Sequence, residues 1–129
     1  MKNSTLEAKS LWKVYPEGEK SELLTVSDVT LSVKKGEFVC IVGPSGCGKT
    51  TILQMLGGLV SATKGDVFFE GATLTKPKSE IGMVFQKPNL MPWRTVLENV
   101  MLPLQIRGLP INTQKQNARD ILQIVGLGD

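Results

Sequence analysis

The first forty residues alternate between apolar and polar positions with a period of two, a pattern that predicts β-strands. The apolar positions around Leu11 lead to a turn signal at Pro16-Glu17-Gly18. A second alternation from Leu24 to Val33 slips out of phase at Ser27-Asp28, which indicates a bulge. Lys34-Lys35-Gly36-Glu37 marks the next turn. This part of the chain is therefore predicted to form an antiparallel β layer.

The pattern then changes to that of an α/β protein. Phe38 to Val42 is a continuous apolar run, which is typical of a strand buried on both faces in a parallel sheet. Val67 to Phe69 and Ile81 to Phe85 are two further strand candidates. Between the first and second runs lies a helical periodicity, whose predicted buried face consists of Ile52, Leu53, Met55, Leu56, Leu59 and Val60.

Two helices are predicted in the last third of the chain. Thr95 and Glu98 have the spacing of a capping box, and Pro103 should kink or end the helix that follows. A second helix is predicted to open at Thr113-Gln114-Lys115-Gln116 and to stop at Gly126. Its predicted apolar face consists of Ala118, Ile121, Leu122 and Val125.

Composition narrows the class of protein. With 41% hydrophobic and 21% charged residues over 129 positions, the chain is sized and composed as one globular domain. A net charge of +3 without a basic cluster argues against a nucleic-acid surface. The chain has no histidine, and its two cysteines support neither a disulfide framework nor a zinc site; Cys40 is expected to be a small buried hydrophobe. Lack of a signal sequence or long apolar run predicts a cytoplasmic location.

The segment from Gly43 to Thr50 matches the phosphate-loop pattern G-x-x-x-x-G-K-[ST] at every fixed position. Its glycines allow the backbone to curl with N–H groups pointing inward, and the helix that follows adds positive charge at its N-terminus. Lys49 has the reach to contact β and γ phosphates, and the Thr50 hydroxyl suits Mg²⁺. The sequence therefore predicts a nucleoside-phosphate site.

The loop and the segments after it resemble the N-terminal half of an ATP-binding-cassette (ABC) transporter ATPase. In that family, the segment similar to Met83-Val84-Phe85-Gln86 is a Q-loop, whose glutamine faces Mg²⁺ and the attacking water. The resemblance therefore implies catalytic roles for Lys49 and Gln86 and magnesium contacts for Thr50 and Gln86. Gln86 read without the resemblance is an ordinary polar residue at a strand end. The implied ATP-binding set is Tyr15, Gly43, Pro44, Ser45, Gly46, Cys47, Gly48, Lys49, Thr50 and Thr51.

Two further positions take their meaning from the same resemblance. Tyr15 falls where the family has an aromatic ring that stacks on adenine; its alternative role is a surface aromatic on an edge strand. The stretch from Leu90 to Val100 is similar to the ATPase subunits of importers for nitrate, sulfonate and taurine. Within it, Trp93 is either core filling or part of a docking surface for a membrane partner.

What the resemblance implies is an importer ATPase that works with ATP and Mg²⁺ at the cytoplasmic face of the membrane. Its implied partners are a transmembrane permease, a second ATPase subunit and, indirectly, a solute-binding protein, with no nucleic acid. The expected divisions are 1–37 for the β layer, 38–86 for the phosphate-loop core and 87–129 for the start of a helical subdomain. A non-catalytic nucleotide-binding or regulatory module and another phosphate-loop enzyme, such as a nucleotide kinase, are the alternative functions.

Several elements of the family's catalytic site do not occur in these 129 residues. No Asp-Glu pair follows an apolar run, no Leu-Ser-Gly-Gly-Gln signature is present, and no histidine can act as the switch residue. The chain is therefore expected to be an incomplete ATPase domain with an open strand edge, which binds ATP but does not hydrolyse it alone.

Overall fold

The computed structural model describes residues 4–17 and 21–128 of the chain. These residues form two compact units, of which the first ends at Met83 and the second begins at Val84.

The first unit is built on an antiparallel sheet. Its strands are β1 (Ser4–Pro16), β2 (Glu22–Lys34), β3 (Lys64–Phe69) and β4 (Ala72–Thr73), in the order β2-β1-β3-β4. This confirms the predicted antiparallel layer and the strand at Val67 to Phe69. The turn signal between β1 and β2 includes Gly18, which lies outside the described residues.

The predicted bulge in β2 is confirmed. Asp28 has φ +50°, and the β1–β2 register shifts between the Leu11–Val29 and Lys13–Val26 pairs. An extra residue in one strand re-aims the side chains that follow it, which is why the apolar alternation changes phase here. As a result, Leu11 and Val26 both reach the core.

Helix α1 (Lys49–Leu56) packs against the sheet and completes the core of this unit. Its buried side chains are Ile52, Met55 and Leu56. The helix is shorter than the apolar periodicity predicts because Gly57 caps it and Gly58 turns into the left-handed region at φ +71°. Leu59 is therefore beyond the helix and exposed, Val60 is half-buried, and Leu53 is exposed on the helix itself.

The two other predicted strands do not form. Phe38 to Val42 and Ile81 to Phe85 are paired with no strand in the described part of the chain. Ile41 and Ile81 pack partly against the core, but other side chains of these segments are open, with Phe38 93% and Val84 99% exposed. A strand is held by lateral hydrogen bonds to neighbouring strands, and an apolar parallel strand needs such neighbours on both sides. The expectation that Cys40 is buried is wrong for the same reason: it lies in the first of these segments and is exposed.

Helix α2 (Val96–Ile106) opens the regular structure of the second unit with the predicted capping box. The Glu98 N–H donates to the Thr95 hydroxyl oxygen at 3.3 Å, and the Thr95 N–H donates to the Glu98 carboxylate at 2.8 Å. That backbone hydrogen bond is the main reason why the pKa of Glu98 lies below its ordinary value. Pro103 does not end the helix, which continues for three residues to Ile106.

Helix α3 (Ile111–Ile124) packs against α2. It begins directly after Pro110, two residues earlier than predicted, and Gly126 follows its end with φ +76°. Its buried side chains are Gln114, Ala118 and Leu122, spaced by four residues. Ile121 and Val125, which were predicted to be on the buried face, are exposed because the contact stripe is narrower than the apolar pattern suggested.

Candidate functional site: a phosphate-binding loop

The loop before α1 adopts backbone conformations that its glycines make accessible. Gly46 has φ +81° and Gly48 has φ +89°, in the left-handed region that side chains with a Cβ disfavour. A Cβ on Gly48 would lie 2.6 Å from the carbonyl oxygen of Thr25 and 3.3 Å from Cγ2 of Val26. The end of the loop is therefore packed directly against β2, and that contact fixes where the helix begins.

The N-terminus of α1 is arranged to receive an anion. Its N-cap is Gly48, which offers no side-chain cap, and its first turn contains no acidic residue. Within the described residues, the amides of Gly48, Lys49 and Thr50 donate to no other group of the chain. Free amides and the helix dipole both favour negative charge at this point.

Lys49 places its ammonium group inside the loop. Its Nζ donates to the carbonyl oxygens of Gly43 at 2.7 Å and Pro44 at 2.6 Å, and lies 3.6 Å from Sγ of Cys47. None of these three partners is a carboxylate. The ammonium charge is therefore solvated by neutral dipoles and not neutralised, which leaves it available to an anionic ligand.

The other residues of the loop are accessible to such a ligand. Pro44, Ser45, Cys47 and Thr50 are exposed, and Thr51 is half-buried. The donor set fits a nucleoside triphosphate, because it combines backbone amides, one unneutralised ammonium group and a helix N-terminus. For Mg²⁺ the loop offers one hydroxyl, that of Thr50, which suits an ion that takes most of its ligands from phosphate and water.

Tyr15 lies near the end of β1 and is half-buried. The Nζ of Lys13 lies 4.9 Å from the centre of its ring. Tyr15 pairs with Leu23 of β2, and Lys13 pairs with Val26, which Gly48 contacts. The first unit therefore brings β1 and the phosphate loop to the same stretch of β2.

Gln86 and Trp93 belong to the second unit. Gln86 lies in an exposed bend, and Trp93 is 77% exposed. Trp93 is therefore not core filling in this structure.

The segment that carries Trp93 is held by Asn99 of α2. The Met91 N–H donates to Oδ1 of Asn99 at 2.8 Å. Nδ2 of Asn99 donates to the carbonyl oxygens of Met91, Arg94 and Thr95 at 3.2, 3.2 and 2.9 Å. Sequence reasoning missed this residue, although its position four residues after a helix N-cap places an amide beside the preceding loop. It missed Lys13 too, although a strand places residues two apart on one face.

Two further features do not occur in the described residues. No helix there is long and apolar enough to cross a membrane. Within the same residues, no group of three or more histidine, cysteine, aspartate or glutamate side chains is placed to hold a metal ion.

Comparison with known proteins places this geometry in a family. The family profile described as ABC transporter matches residues 26–129. The taurine import ATP-binding protein TauB of Pseudomonas aeruginosa is 43% identical over 127 residues, which cover 98% of this chain and 47% of that protein. The lipoprotein-releasing system ATP-binding protein LolD of Alcanivorax borkumensis is 43% identical over 140 residues, with 99% of this chain and 60% of that protein covered.

A solved structure agrees with the sequence comparisons. The dimeric post-hydrolysis state of the ATP-binding cassette MJ0796 bound to ADP and Pi matches with a TM-score of 0.81 and 33% identity. The match covers 92% of this chain and 56% of that one, so the chain spans about half the length of these relatives. On the family match, the identities and the fold, the chain belongs to the ABC transporter family.

Proposed function

We propose that residues 43–50 bind the phosphates of ATP together with Mg²⁺, and that the chain is the ATP-binding part of an importer ATPase. The observation that carries this proposal is the ammonium group of Lys49, held inside a loop by neutral acceptors at an uncapped helix N-terminus. Such an arrangement attracts a multiply charged anion, and a cation such as Mg²⁺ would bind here together with the phosphates.

The site residues have separate proposed roles. Lys49 and the loop amides neutralise and orient the β and γ phosphates, and Thr50 holds Mg²⁺, which supplies further charge neutralisation when bound. Tyr15 offers a ring on which adenine stacks. Gln86 is proposed to contact Mg²⁺ and to orient water. Phosphoryl transfer depends mainly on such positioning and electrostatics, so the groups that bind the phosphates and Mg²⁺ are also those proposed to act on the reacting phosphate.

Thiol labelling tests whether the nucleotide sits in this loop. Cys47 and Cys40 are both exposed, so a maleimide should modify both in the free chain. Saturating Mg·ATP should slow the modification of Cys47, because the phosphates would lie against the loop, and should leave Cys40 unchanged as an internal control. Mass spectrometry of tryptic peptides measures both rates. If Cys47 reacts at the same rate with and without Mg·ATP, the nucleotide does not bind here.

The segment from Met91 to Thr95 is proposed to dock on the transmembrane permease. Trp93 is exposed, while the backbone on both sides of it is fixed by four hydrogen bonds to Asn99. Arg94 adds a further bond, from Nη1 to Oε1 of Gln105 at 3.0 Å. A rigid backbone reduces the entropy lost when an exposed aromatic side chain is immobilised at an interface.

Trp93→Ala tests the docking surface in the full-length protein co-expressed with its permease. Loss of a central aromatic contact costs about 2 kcal/mol or more, so the affinity for the permease should fall about thirtyfold and less permease should co-purify. The affinity for ATP should stay unchanged. Ile106→Ala is the matched control, since Ile106 is 75% exposed in the same unit. Loss of ATP affinity with assembly intact would contradict the docking role.

The proposed cargo is a small anion such as nitrate, a sulfonate or taurine, imported through the permease with a solute-binding protein and a second ATPase subunit. The similarity of Leu90 to Val100 to that group of importers and the 43% identity to a taurine import protein support this choice. On the same support, the proposed location is the cytoplasmic face of the membrane. Uptake of labelled taurine by cells with and without the gene tests the cargo, and equal uptake of taurine, nitrate and sulfonates in both would contradict it.

A further inference from the structure

Lys13 contacts both a backbone carbonyl and an aromatic ring, whereas Lys9, the other lysine of β1, contacts a ring and the carboxylate of Glu7. The Nζ of Lys13 donates to the carbonyl oxygen of Ser61 at 2.7 Å and lies 4.9 Å from the centre of the Tyr15 ring. The side chain as a whole is half-buried, while the hydrogen bond of its ammonium group to Ser61 is exposed. A cation over an aromatic ring is attracted by the negative face of the ring, and at exposed sites this attraction contributes about 0.5–1 kcal/mol.

The carbonyl that Lys13 contacts belongs to the segment that leads away from the phosphate-loop helix. Thr63 of that segment also binds β1: its N–H donates to the Trp12 carbonyl at 2.8 Å, and its hydroxyl oxygen accepts from the Val14 N–H at 3.1 Å. Bonds on both sides of Lys13 therefore fix the end of β1 to the chain that follows α1. The ammonium group extends this fixation from the backbone to the ring of Tyr15.

The position of Lys13 relative to the phosphate loop follows from the strand register. Lys13 pairs with Val26, and Gly48 of the loop is packed against Val26 and the Thr25 carbonyl. Tyr15 lies two residues further along the same strand and pairs with Leu23. The backbone of Lys13 thus pairs with the stretch of β2 that packs against the end of the loop, and its ammonium group contacts the ring two residues further along β1.

From these contacts we infer that Lys13 is a positioning residue for the base of the nucleotide: it holds the Tyr15 ring by one face and leaves the opposite face for adenine. This inference rests on the proposed ATP site and deepens it. Without the ammonium group, the ring would sample several side-chain rotamers, and each bound nucleotide would have to select the stacking rotamer from among them. Lys13 acts only through Tyr15, so it contributes to the recognition of the base and not to that of the phosphates.

The test compares the affinities of ATP and inorganic tripolyphosphate, each with Mg²⁺, by calorimetry on the full chain. Lys13→Met keeps the length of the side chain and removes its charge and donor. It should weaken ATP about two- to fivefold, the range expected from a cation–aromatic contact, and leave tripolyphosphate unchanged. Lys13→Arg should restore ATP affinity. Tyr15→Ala should lower ATP affinity about five- to a hundredfold, as expected for loss of a stacking platform.

Lys9→Met is the matched control, because Lys9 is on the same strand and lies 4.6 Å from the ring of Phe68, which has no proposed contact with the nucleotide. It should change neither affinity. The decisive result comes from the double variant: in the Tyr15→Ala background, Lys13→Met should have no further effect on ATP, since its route of action is gone.

Three results would overturn the inference while leaving the phosphate site intact. They are an unchanged ATP affinity in Lys13→Met, a parallel loss of tripolyphosphate affinity, and an undiminished effect of Lys13→Met in the Tyr15→Ala background. The last two would show that Lys13 contacts the nucleotide directly or supports the fold. If the wild-type chain binds neither ATP nor tripolyphosphate, the proposed function itself fails, and the inference fails with it.

Discussion

The purified 129-residue chain is expected to bind Mg·ATP and to release phosphate no faster than its Lys49→Ala variant. Cleavage of the γ-phosphate needs an oriented water, a carboxylate to organise or deprotonate it, and stabilisation of the charge that spreads over the equatorial oxygens. Under the proposed function, Lys49, Thr50, Gln86 and the loop amides serve binding and part of that stabilisation. The three groups that contact Lys49 are two carbonyls and a thiol, so none of them is a general base.

The expected loss of rate is large. Absence of a positioned general base alone typically costs 10²–10⁴-fold. Neither a histidine nor the family's signature segment occurs in the sequence, so pairing two copies of this chain would not supply the missing groups. We therefore expect this chain to bind the nucleotide without hydrolysing it unless another segment or subunit provides those groups.

Release of inorganic phosphate under saturating Mg·ATP measures the rate at which the chain hydrolyses ATP, with Lys49→Ala as the blank for contaminating ATPases. Turnover above that blank at about 1 s⁻¹, the low end of ordinary enzyme rates, would contradict the account. It would assign the missing role to another carboxylate, and Asp66→Asn and Glu80→Gln would then identify which. Asp66 lies within β3 and Glu80 lies after β4, and both are exposed.

The antiparallel layer could be predicted from the sequence because its pairing is local. β1 and β2 are adjacent along the chain, and the alternation of apolar and polar residues reports directly on which face is buried. The bulge at Asp28 could be predicted too, because the apolar alternation changes phase there. The apolar runs at Phe38 and Ile81 could not be assigned in the same way. Their composition predicts burial between neighbouring strands, but it contains no information on whether those strands are present. In the described residues they are not, and both segments stay unpaired.

The helices show a second limit of sequence patterns. Apolar periodicity identified α1 and α3 but overestimated their buried faces, because burial depends on the width of the surface that each helix contacts. α3 buries Ala118 and Leu122 and leaves Ile121 exposed. Local chemistry was more reliable: the capping box of Thr95 and Glu98 formed as predicted, since it requires only residues within one turn.

For the candidate site, the loop itself could be predicted and its surroundings could not. The loop could be predicted because its glycines, including Gly48, and its donors Lys49 and Thr50 stand at fixed positions of a short sequence pattern. The contacts of Lys13 with Ser61 and Tyr15 join segments up to 48 residues apart, and they depend on the strand register and on the path of the chain after α1. No pattern within a short window contains that information.

The central claim is that Lys49 binds the phosphates of ATP, and calorimetric titration of unlabelled Mg·ATP into wild-type and Lys49→Ala chains tests it most directly. Lys35→Ala, at an exposed turn, is the matched control for loss of one positive charge. Hydrogen bonds to charged groups contribute about 1.5–3 kcal/mol, so Lys49→Ala should bind about ten- to 150-fold more weakly, while Lys35→Ala should bind as the wild type does. Equal affinity of the wild-type and Lys49→Ala chains for Mg·ATP would contradict the account.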